Sequence, residues 1–415
     1  VRCIFIVAQY PISPNFRGGG SATFYERLCS LSALGHEIHL WHYAYPAQRQ
    51  VFDEFVRHDE STYRHVQTMC ASITLTTLPA QPGLVRRLTA RAGDWAHGTR
   101  VENPLLRTVA LPQLERHIRR VEPDFIWAHH FGPARVATLQ LTRPVIYSHH
   151  DWLFRVKALA SGGAENPVLR RQEEDVARAA AAVVSGSLSE CRQLRAIGCR
   201  AVAYIPVAYE PVADAPATEG APRLVHLGGL STTANRVGLE RFFATVWPSL
   251  PPAMRNLWVI GDTSGASPAL TQHLRSVTCT GHVRDLRDVL RPCDLHIIPW
   301  EHDTGQRTRL PLIFNFRQVV VAVRAAVAGF PEVRDGENCR LVDRLDQMAS
   351  VIAELFEDHA QRRRLAEGAR KTFEESFTRP ALLPRYAAII DAALEGAAWP
   401  GARRVRRWVP AFFHS

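Results

Sequence analysis

The chain has 415 residues, 46% of them hydrophobic and 22% charged, the balance of an ordinary globular protein. No stretch approaches the ~18–20 uninterrupted apolar residues of a helical membrane span. The formal charge of +10 rests almost wholly on arginine, since Lys157 and Lys371 are the only lysines. A basic balance favours anionic partners, but the arginines are dispersed and no recognised nucleic-acid module is present, so nucleic acid is not expected as a partner.

Eight scattered cysteines without a close pair read as small buried residues of a reducing compartment, not as a disulfide or zinc framework. At this length two domains of roughly 200 residues each are expected. Val1 to Val7 is apolar but too short for a signal peptide and lacks a small-residue cleavage site, so it reads as a first buried strand. These features predict a cytoplasmic protein.

In chain order, "VRCIFIV" is followed by the glycine-rich "NFRGGGS" with Gly18, Gly19 and Gly20, then by an amphipathic helix over about Ala22 to Leu34. Gly35 closes that helix and "HEIHLW" begins a second strand, the opening of a parallel α/β sheet. "PDFIWAHH" and "RPVIYSHHD" are apolar strands with polar ends, and "AAAVVSGS" and "CRAVAYIPV" continue the series. The stretch from Tyr209 to Pro222 is rich in Pro and Ala without periodicity and reads as a linker. After it, "RLVHLGGL", "LWVIGD", "VTCTGHV", "CDLHIIPW", "QVVVAV" and "NCRLV" form a second strand-and-helix series. The predicted plan is a domain over 1–208, a linker over 209–222, a second domain over 223–395 and a tail over 396–415. The fold class is α/β, with two Rossmann-like domains facing across a cleft.

In such sheets ligands bind beyond the carboxyl ends of the strands, so the residues that follow each strand carry the chemistry. After "RLVHL" come Gly228 and Gly229, which let a backbone approach a ligand closely, then Thr232, Thr233, Asn235 and Arg236. The turn after "LWVIG" carries Asp262, and the Gly-His-Val step of "GHVRDL" either lines a base pocket or caps the next helix. After "CDLHIIPW" come Asp303, Thr304, Gly305, Arg307 and Arg309, where amides and two guanidinium groups can converge on a diphosphate. In an extended loop residues at i and i+2 point the same way. In the first domain the strand ends are His129 and His130, and Ser148, His149, His150, Asp151 and Trp152. Adjacent histidines on an extended chain point to opposite sides, so at most one of each pair is expected to face the cleft. Their spacing does not make a metal site, and none is predicted.

The order of these motifs resembles the retaining nucleotide-sugar glycosyltransferases of the GT-B fold, family 4, over residues 1 to about 395. "GGGSATFYERLCSLSALGHEIHLW", "EPDFIWAHH", "PVIYSHHD", "AAVVSGSLSECRQL", "GHVRDLRDVLRPCDLHIIPW" and "GFPEVRDGENCRLV" stand in the family's order. The resemblance implies a nucleoside diphosphate sugar as donor, transfer to an acceptor hydroxyl with retention, no required cofactor and no metal. It places His150, followed by Asp151, at the catalytic strand end. It places Gly229, Arg236, Thr304, Gly305, Arg307 and Arg309 on the nucleotide and its phosphates, and Gly18, Gly19 and Gly20 on the acceptor or phosphate loop.

Where the family reads Gly-x-Arg-x-Lys-Ile-x-Glu-Ala, with its Glu on the ribose, this chain keeps Gly305 and Arg307 and has Arg309 for Lys. The Glu position falls on Leu312 or, in a neighbouring register, on Phe314. An unreplaced charge-assisted hydrogen bond of ~1.5–3 kcal/mol would weaken nucleotide binding by roughly ten- to a hundredfold. A GT-B-shaped binding or scaffold protein that has lost turnover is therefore the alternative. A sugar-nucleotide epimerase is less consistent, because Asp151, Asp262 and Asp303 make a poor acidic set. The tail "GARRVRRWVPAFFHS" combines four Arg with Trp408, Phe412 and Phe413, a composition suited to an anionic membrane surface and thus to peripheral attachment at the inner face. "GLVRRLTARAGDW" has a similar makeup. Contact with lipid would point to a lipid-linked acceptor, or to a carbohydrate of envelope glycan synthesis.

Overall fold

A computed structural model of the chain describes residues 1–8, 11–14, 19–79, 105–140, 142–213 and 221–396. Two parallel sheets organise it. The first has seven strands: β1 (Arg2–Ala8), β2 (Glu37–Ala44), β3 (Ser72–Thr77), β4 (Phe125–His129), β5 (Val145–His149), β6 (Ala182–Ser185) and β7 (Val202–Tyr204). Their order is β3-β2-β1-β4-β5-β6-β7. The second has six: β8 (Leu224–Leu227), β9 (Leu257–Ile260), β10 (Thr278–Gly281), β11 (Leu295–Ile298), β12 (Val319–Val323) and β13 (Cys339–Val342). Their order is β10-β9-β8-β11-β12-β13.

The strand sequences explain the parallel arrangement. In β1 every residue from Cys3 to Ala8 is buried, and in β12 all five residues are. Continuous apolar runs of this kind need helices on both faces of the sheet. The first helix spans Gly19–Ala33, three residues earlier than its apolar periodicity predicts, because it begins within the glycine run. In both sheets the chain leaves one strand to either side, and these reversals fall between β1 and β4 and between β8 and β11. Crevices for ligands form at such reversals.

The last helix, Arg379–Glu395, follows the second sheet in sequence yet packs on the first. Its Leu382, Tyr386, Ile389, Ile390 and Ala393 share one apolar cluster with Cys3, Phe5, Phe125 and Trp127. The rings of Trp127 and Tyr386 stack at 5.8 Å. Arg27, wholly buried, donates to Tyr386 Oη and to the carbonyl of Ile205. The domain boundaries read from the sequence place this helix with the second domain, whereas its apolar face belongs to the first core. The start of the linker is packed as well: Tyr209 Oη donates to Thr308 O at 3.0 Å, and Val212 N to Asn315 Oδ1 at 3.0 Å. Residues 214–220 of the linker, the segment Gly83 to Trp95 and the tail from residue 397 lie outside the described residues.

All eight cysteines are free, six of them buried, whereas Cys70 is half-buried and Cys279 exposed. Cys279 sits on β10, at the edge of the second sheet, which explains its departure from the expected burial. Among the described residues no helix is long and apolar enough to cross a membrane.

An ion pair fastens the last helix. Glu26, 4% exposed, accepts from Arg379 Nε at 3.1 Å and Nη2 at 3.0 Å and from Ser30 Oγ at 2.9 Å. Burial pushes the Glu26 carboxyl up, against the pull of Arg379. Removing one partner leaves an uncompensated buried charge, so Arg379→Ala should destabilise the protein by about 3 kcal/mol in urea unfolding. Adding Glu26→Gln should recover most of that loss.

Candidate functional site

The carboxyl ends of β4, β5 and β6 face the segment that follows β11. At the end of β4 the chain turns at His130, whose φ of 66° lies in the left-handed region. This turn overturns the expected alternation of the first histidine pair. His129 Nδ1 lies 2.9 Å from His150 Nε2, and the His130 ring stacks on the His150 ring at 3.8 Å. Both members of the pair therefore meet His150, and Phe24 packs its ring against all three. A non-glycine residue held at such a φ costs on the order of 1–3 kcal/mol, and strain of this kind concentrates at functional sites.

Burial, together with the other histidines and Arg27, holds the His150 imidazole well below its usual range, so the ring is neutral near pH 7. His129 is shifted the same way by burial. Among the described residues no group of three or more His, Cys, Asp or Glu has an arrangement that could hold a metal ion.

His149 points away from this cluster. Its Nδ1 lies 3.3 Å from Glu190 Oε2, and its backbone carbonyl accepts from Gln306 Nε2 at 2.9 Å. Glu190 is 2% exposed, at the start of the helix Leu188–Ala196, and also accepts from Ser185 Oγ at 3.1 Å. Its other oxygen accepts from the backbone N–H of Gly305 at 3.1 Å. Ser189 Oγ donates to Asp303 Oδ1 at 2.8 Å, and Leu188 N donates to Gly329 O at 2.7 Å. The loop from Asp303 to Arg307 is thus bound to the first domain through Asp303, Gly305 and Gln306, on the helix Leu188–Ala196 and the end of β5.

Asp151 lies against Gly305. A Cβ built on Gly305 would fall 1.7 Å from Asp151 Oδ1, and the φ of Gly305 is +68°. Glycine is required here on both counts. Burial and the nearby Glu190 charge push the Asp151 carboxyl up to about 6, against the pull of Arg307 and His149.

Of the three arginines predicted from sequence, Arg307 and Arg309 are turned inward. Arg307, 7% exposed, donates through Nη2 to Thr304 O at 2.7 Å and through Nε to Ala326 O at 3.3 Å. Its guanidinium lies 5.9 Å from the centre of the Trp300 ring, whose Nε1 donates to Thr304 Oγ1 at 3.1 Å. Burial lowers its pKa while Asp151, Glu190 and Asp303 raise it, so three carboxylates act on this one cation. Arg309 opens the helix Arg309–Asn315 and does not lie on an extended loop with Arg307. Its guanidinium donates to Leu227 O and Asn235 Oδ1, and burial beside Arg307 pushes its pKa down to about 9.

At the end of β8, Gly228 has φ +134°, and a Cβ there would meet Asn235 Nδ2 at 2.5 Å and Arg309 Nη1 at 2.9 Å. At Gly229 a Cβ would make ordinary contact with Asp262 O at 3.7 Å and Ser231 Oγ at 3.8 Å. Asn235, among the polar residues that follow this strand, gives its amide to Gly229 O at 2.9 Å. Arg236 pairs with Glu240 at 3.4 Å along its own helix. Asp262 closes a turn by accepting from Ser264, and Asp285 of "GHVRDL" accepts from Arg287 N, the capping alternative for that segment. Phe314 is fully buried in the second domain's core, whereas Leu312 is half-buried beside Phe316 and Leu286. Leu312 therefore occupies the rim position of the two candidates for the family Glu. Gly18 lies outside the described residues, while Gly19 and Gly20 begin the first helix.

Glu190 and Ser189 were not legible as site residues. Ser187 caps their helix by accepting from Glu190 N at 3.3 Å, and Ser-x-x-Glu at a helix start reads as a capping pattern.

Two family models match the chain. The one described as "Glycosyl transferase 4-like domain" matches residues 18–209, and the one described as "Glycosyl transferases group 1" matches residues 221–358. Similar solved structures include sucrose-phosphate synthase from Thermosynechococcus elongatus, with a TM-score of 0.70 and 16% identity over 95% of this chain and 100% of that one. HepE of Anabaena in complex with UDP-glucose gives 0.62 and 15%, over 94% and 99% of the two chains. A glycosyltransferase from Rickettsia africae gives 0.61 and 12%, over 95% and 98%. At these identities the likeness is one of fold. No curated protein matches in sequence.

Two measurements test this geometry. Gly305→Ala should lower stability by about 1–3 kcal/mol in denaturant unfolding, and Asp151→Ala should return the part due to the clash but not the part due to φ. Asp151 ionises near pH 6 in the folded chain against an ordinary 3.8. The folded state therefore carries an ionisation penalty that is absent below the lower value and complete above the upper one. Asp151→Asn should raise Tm by about 2–4 °C at pH 7.5 and leave it unchanged near pH 3.5.

Proposed function

Because this chain belongs to the GT-B, family 4-like glycosyltransferases, we propose that its crevice transfers a hexosyl group from a nucleoside diphosphate sugar to an acceptor hydroxyl, with retention of configuration. The observation that carries the reading is the buried cation Arg307, set beside Asp151 of the opposite strand end, with Arg309 held next to it at the end of β8. The relative from Anabaena solved with UDP-glucose supports a donor of that chemical class.

In this reading Arg307 and Arg309 hold the diphosphate, and Gly229, Thr304 and Gly305 let the chain approach it closely. Arg236 contributes by leaving Glu240. The guanidinium charges stabilise the negative charge that develops as the bond from the anomeric carbon to the diphosphate breaks. The acceptor oxygen bonds that carbon on the same face, and its proton passes to the leaving diphosphate. His150 is neutral and its Nε2 is tied to His129, so Nδ1 is the nitrogen left to face the donor sugar. Asp151 exchanges a proton near pH 6, and its neutral form removes one of the negative charges that act on Arg307. The glycine run Gly18, Gly19 and Gly20 serves the acceptor or the phosphates in this reading. An acceptor in envelope glycan or glycolipid synthesis, reached at a membrane surface through the basic tail, completes the proposal.

Titration with a panel of nucleoside diphosphate sugars, followed by measurement of nucleotide release with and without candidate acceptors, tests the reading. Turnover that needs an acceptor supports it, and binding without turnover supports a scaffold instead. Arg307→Ala should weaken donor binding roughly ten- to a hundredfold, the worth of a charge-assisted contact. An unchanged Kd would remove Arg307 from the phosphate site.

A further inference from the structure

Glu190 is the one described side chain whose carboxylate bonds the Gly305 amide of the second domain while also contacting the first domain's His149. A carboxylate so buried carries a desolvation cost of several kcal/mol that must be offset by donors. Oε2 accepts from Ser185 Oγ at 3.1 Å and lies 3.3 Å from His149 Nδ1 without a hydrogen bond to it, both within the first domain. Oε1 has the Gly305 N–H at 3.1 Å, which is there only while the 303–307 loop lies against the first sheet. The oxygen and the loop thus depend on each other.

The neighbours of this contact are the proposed reactive groups. His149 precedes His150 and Asp151 directly, and Gly305 is two residues from Arg307. The Gln306 amide on His149 O and Ser189 Oγ on Asp303 flank the contact at 2.9 and 2.8 Å. Gly186 leaves room for Gln306, since a Cβ there would meet its Oε1 at 2.3 Å.

We infer that Glu190 is a positioning residue that sets the 303–307 loop, and with it the Arg307 guanidinium, against the His150–Asp151 strand end. This inference rests on the proposed transfer reaction for its catalytic meaning, but the latch itself does not. Without Glu190 the loop samples positions in which Arg307 is displaced. The binding-competent fraction falls, and the apparent affinity for an anionic donor falls with it.

The test compares Glu190→Ala, Glu190→Gln and the double variant Ser189→Ala/Gln306→Ala with the wild type. Amide hydrogen exchange over residues 303–307 reads the latch, and UDP-glucose binding and hydrolysis read its consequence. In Glu190→Ala, exchange of the Gly305 amide should speed up at least tenfold and the KM for UDP-glucose should rise about tenfold. Glu190→Gln keeps an oxygen for the amide and should stay within about threefold of wild type in both. The double variant loosens the same loop without touching Glu190 and should raise KM about threefold, which keeps the test open should Glu190→Ala fold poorly.

A folded Glu190→Ala with wild-type exchange at Gly305 overturns the inference. So does a loss confined to the amount of active protein with KM unchanged, or a double variant indistinguishable from wild type. Wild-type protein that binds no nucleoside diphosphate sugar would instead overturn the proposed function, while the exchange measurement would still decide the latch.

Discussion

Burying carboxylates between two lobes is unfavourable unless each oxygen finds a donor or a cation close by. At the crevice of this protein Asp151 and Glu190 are held together from one side, with Arg307, the Gly305 amide and the His149 ring set against them. Charge, glycine and loop path fit only as a set. A side chain on Gly305 would collide with Asp151, and a displaced loop would strip Glu190 of a donor. The approach of the two domains at Gly305 therefore depends on electrostatics and on the absence of a Cβ.

The second sheet solves a related problem with backbone alone. Gly228 and Gly261 approach so closely that a Cβ on Gly261 would lie 2.8 Å from Gly228 C. Arg309 and Asn235 then occupy the space beneath that turn, bonding its carbonyls and each other. An arginine tied to backbone carbonyls in this way is a fixed positive wall of the crevice. Arg307 is likewise bonded to backbone carbonyls, but unlike Arg309 it also feels the charges of Asp151, Glu190 and Asp303.

The fold was legible in the sequence because buried parallel strands are written as short apolar runs, each ending in polar or glycine residues. "VRCIFIV", "PDFIWAHH" and "CDLHIIPW" all lie where that pattern places them. The histidine geometry was not legible, because alternation fails once His130 takes a left-handed φ, and no residue type announces that. Glu190 was hidden for a different reason. Its spacing from Ser187 is that of an ordinary helix cap, while its partner lies 115 residues away in sequence, beyond the reach of any local pattern. The docking of the last helix was hidden for the same reason, since nothing local says which core its apolar residues cover.

That helix has a consequence for how the two lobes move and fold. The chain passes from the first lobe to the second near Tyr209 and returns near Arg379, so two strands of polypeptide cross the same waist. Two crossings leave a swing about one axis and resist twisting about the others, as a double-pinned hinge does. They also make the seven-stranded lobe unfinished until the far end of the chain arrives, so during synthesis a greasy furrow over Phe5, Phe125 and Trp127 stays open while the whole second lobe is being made.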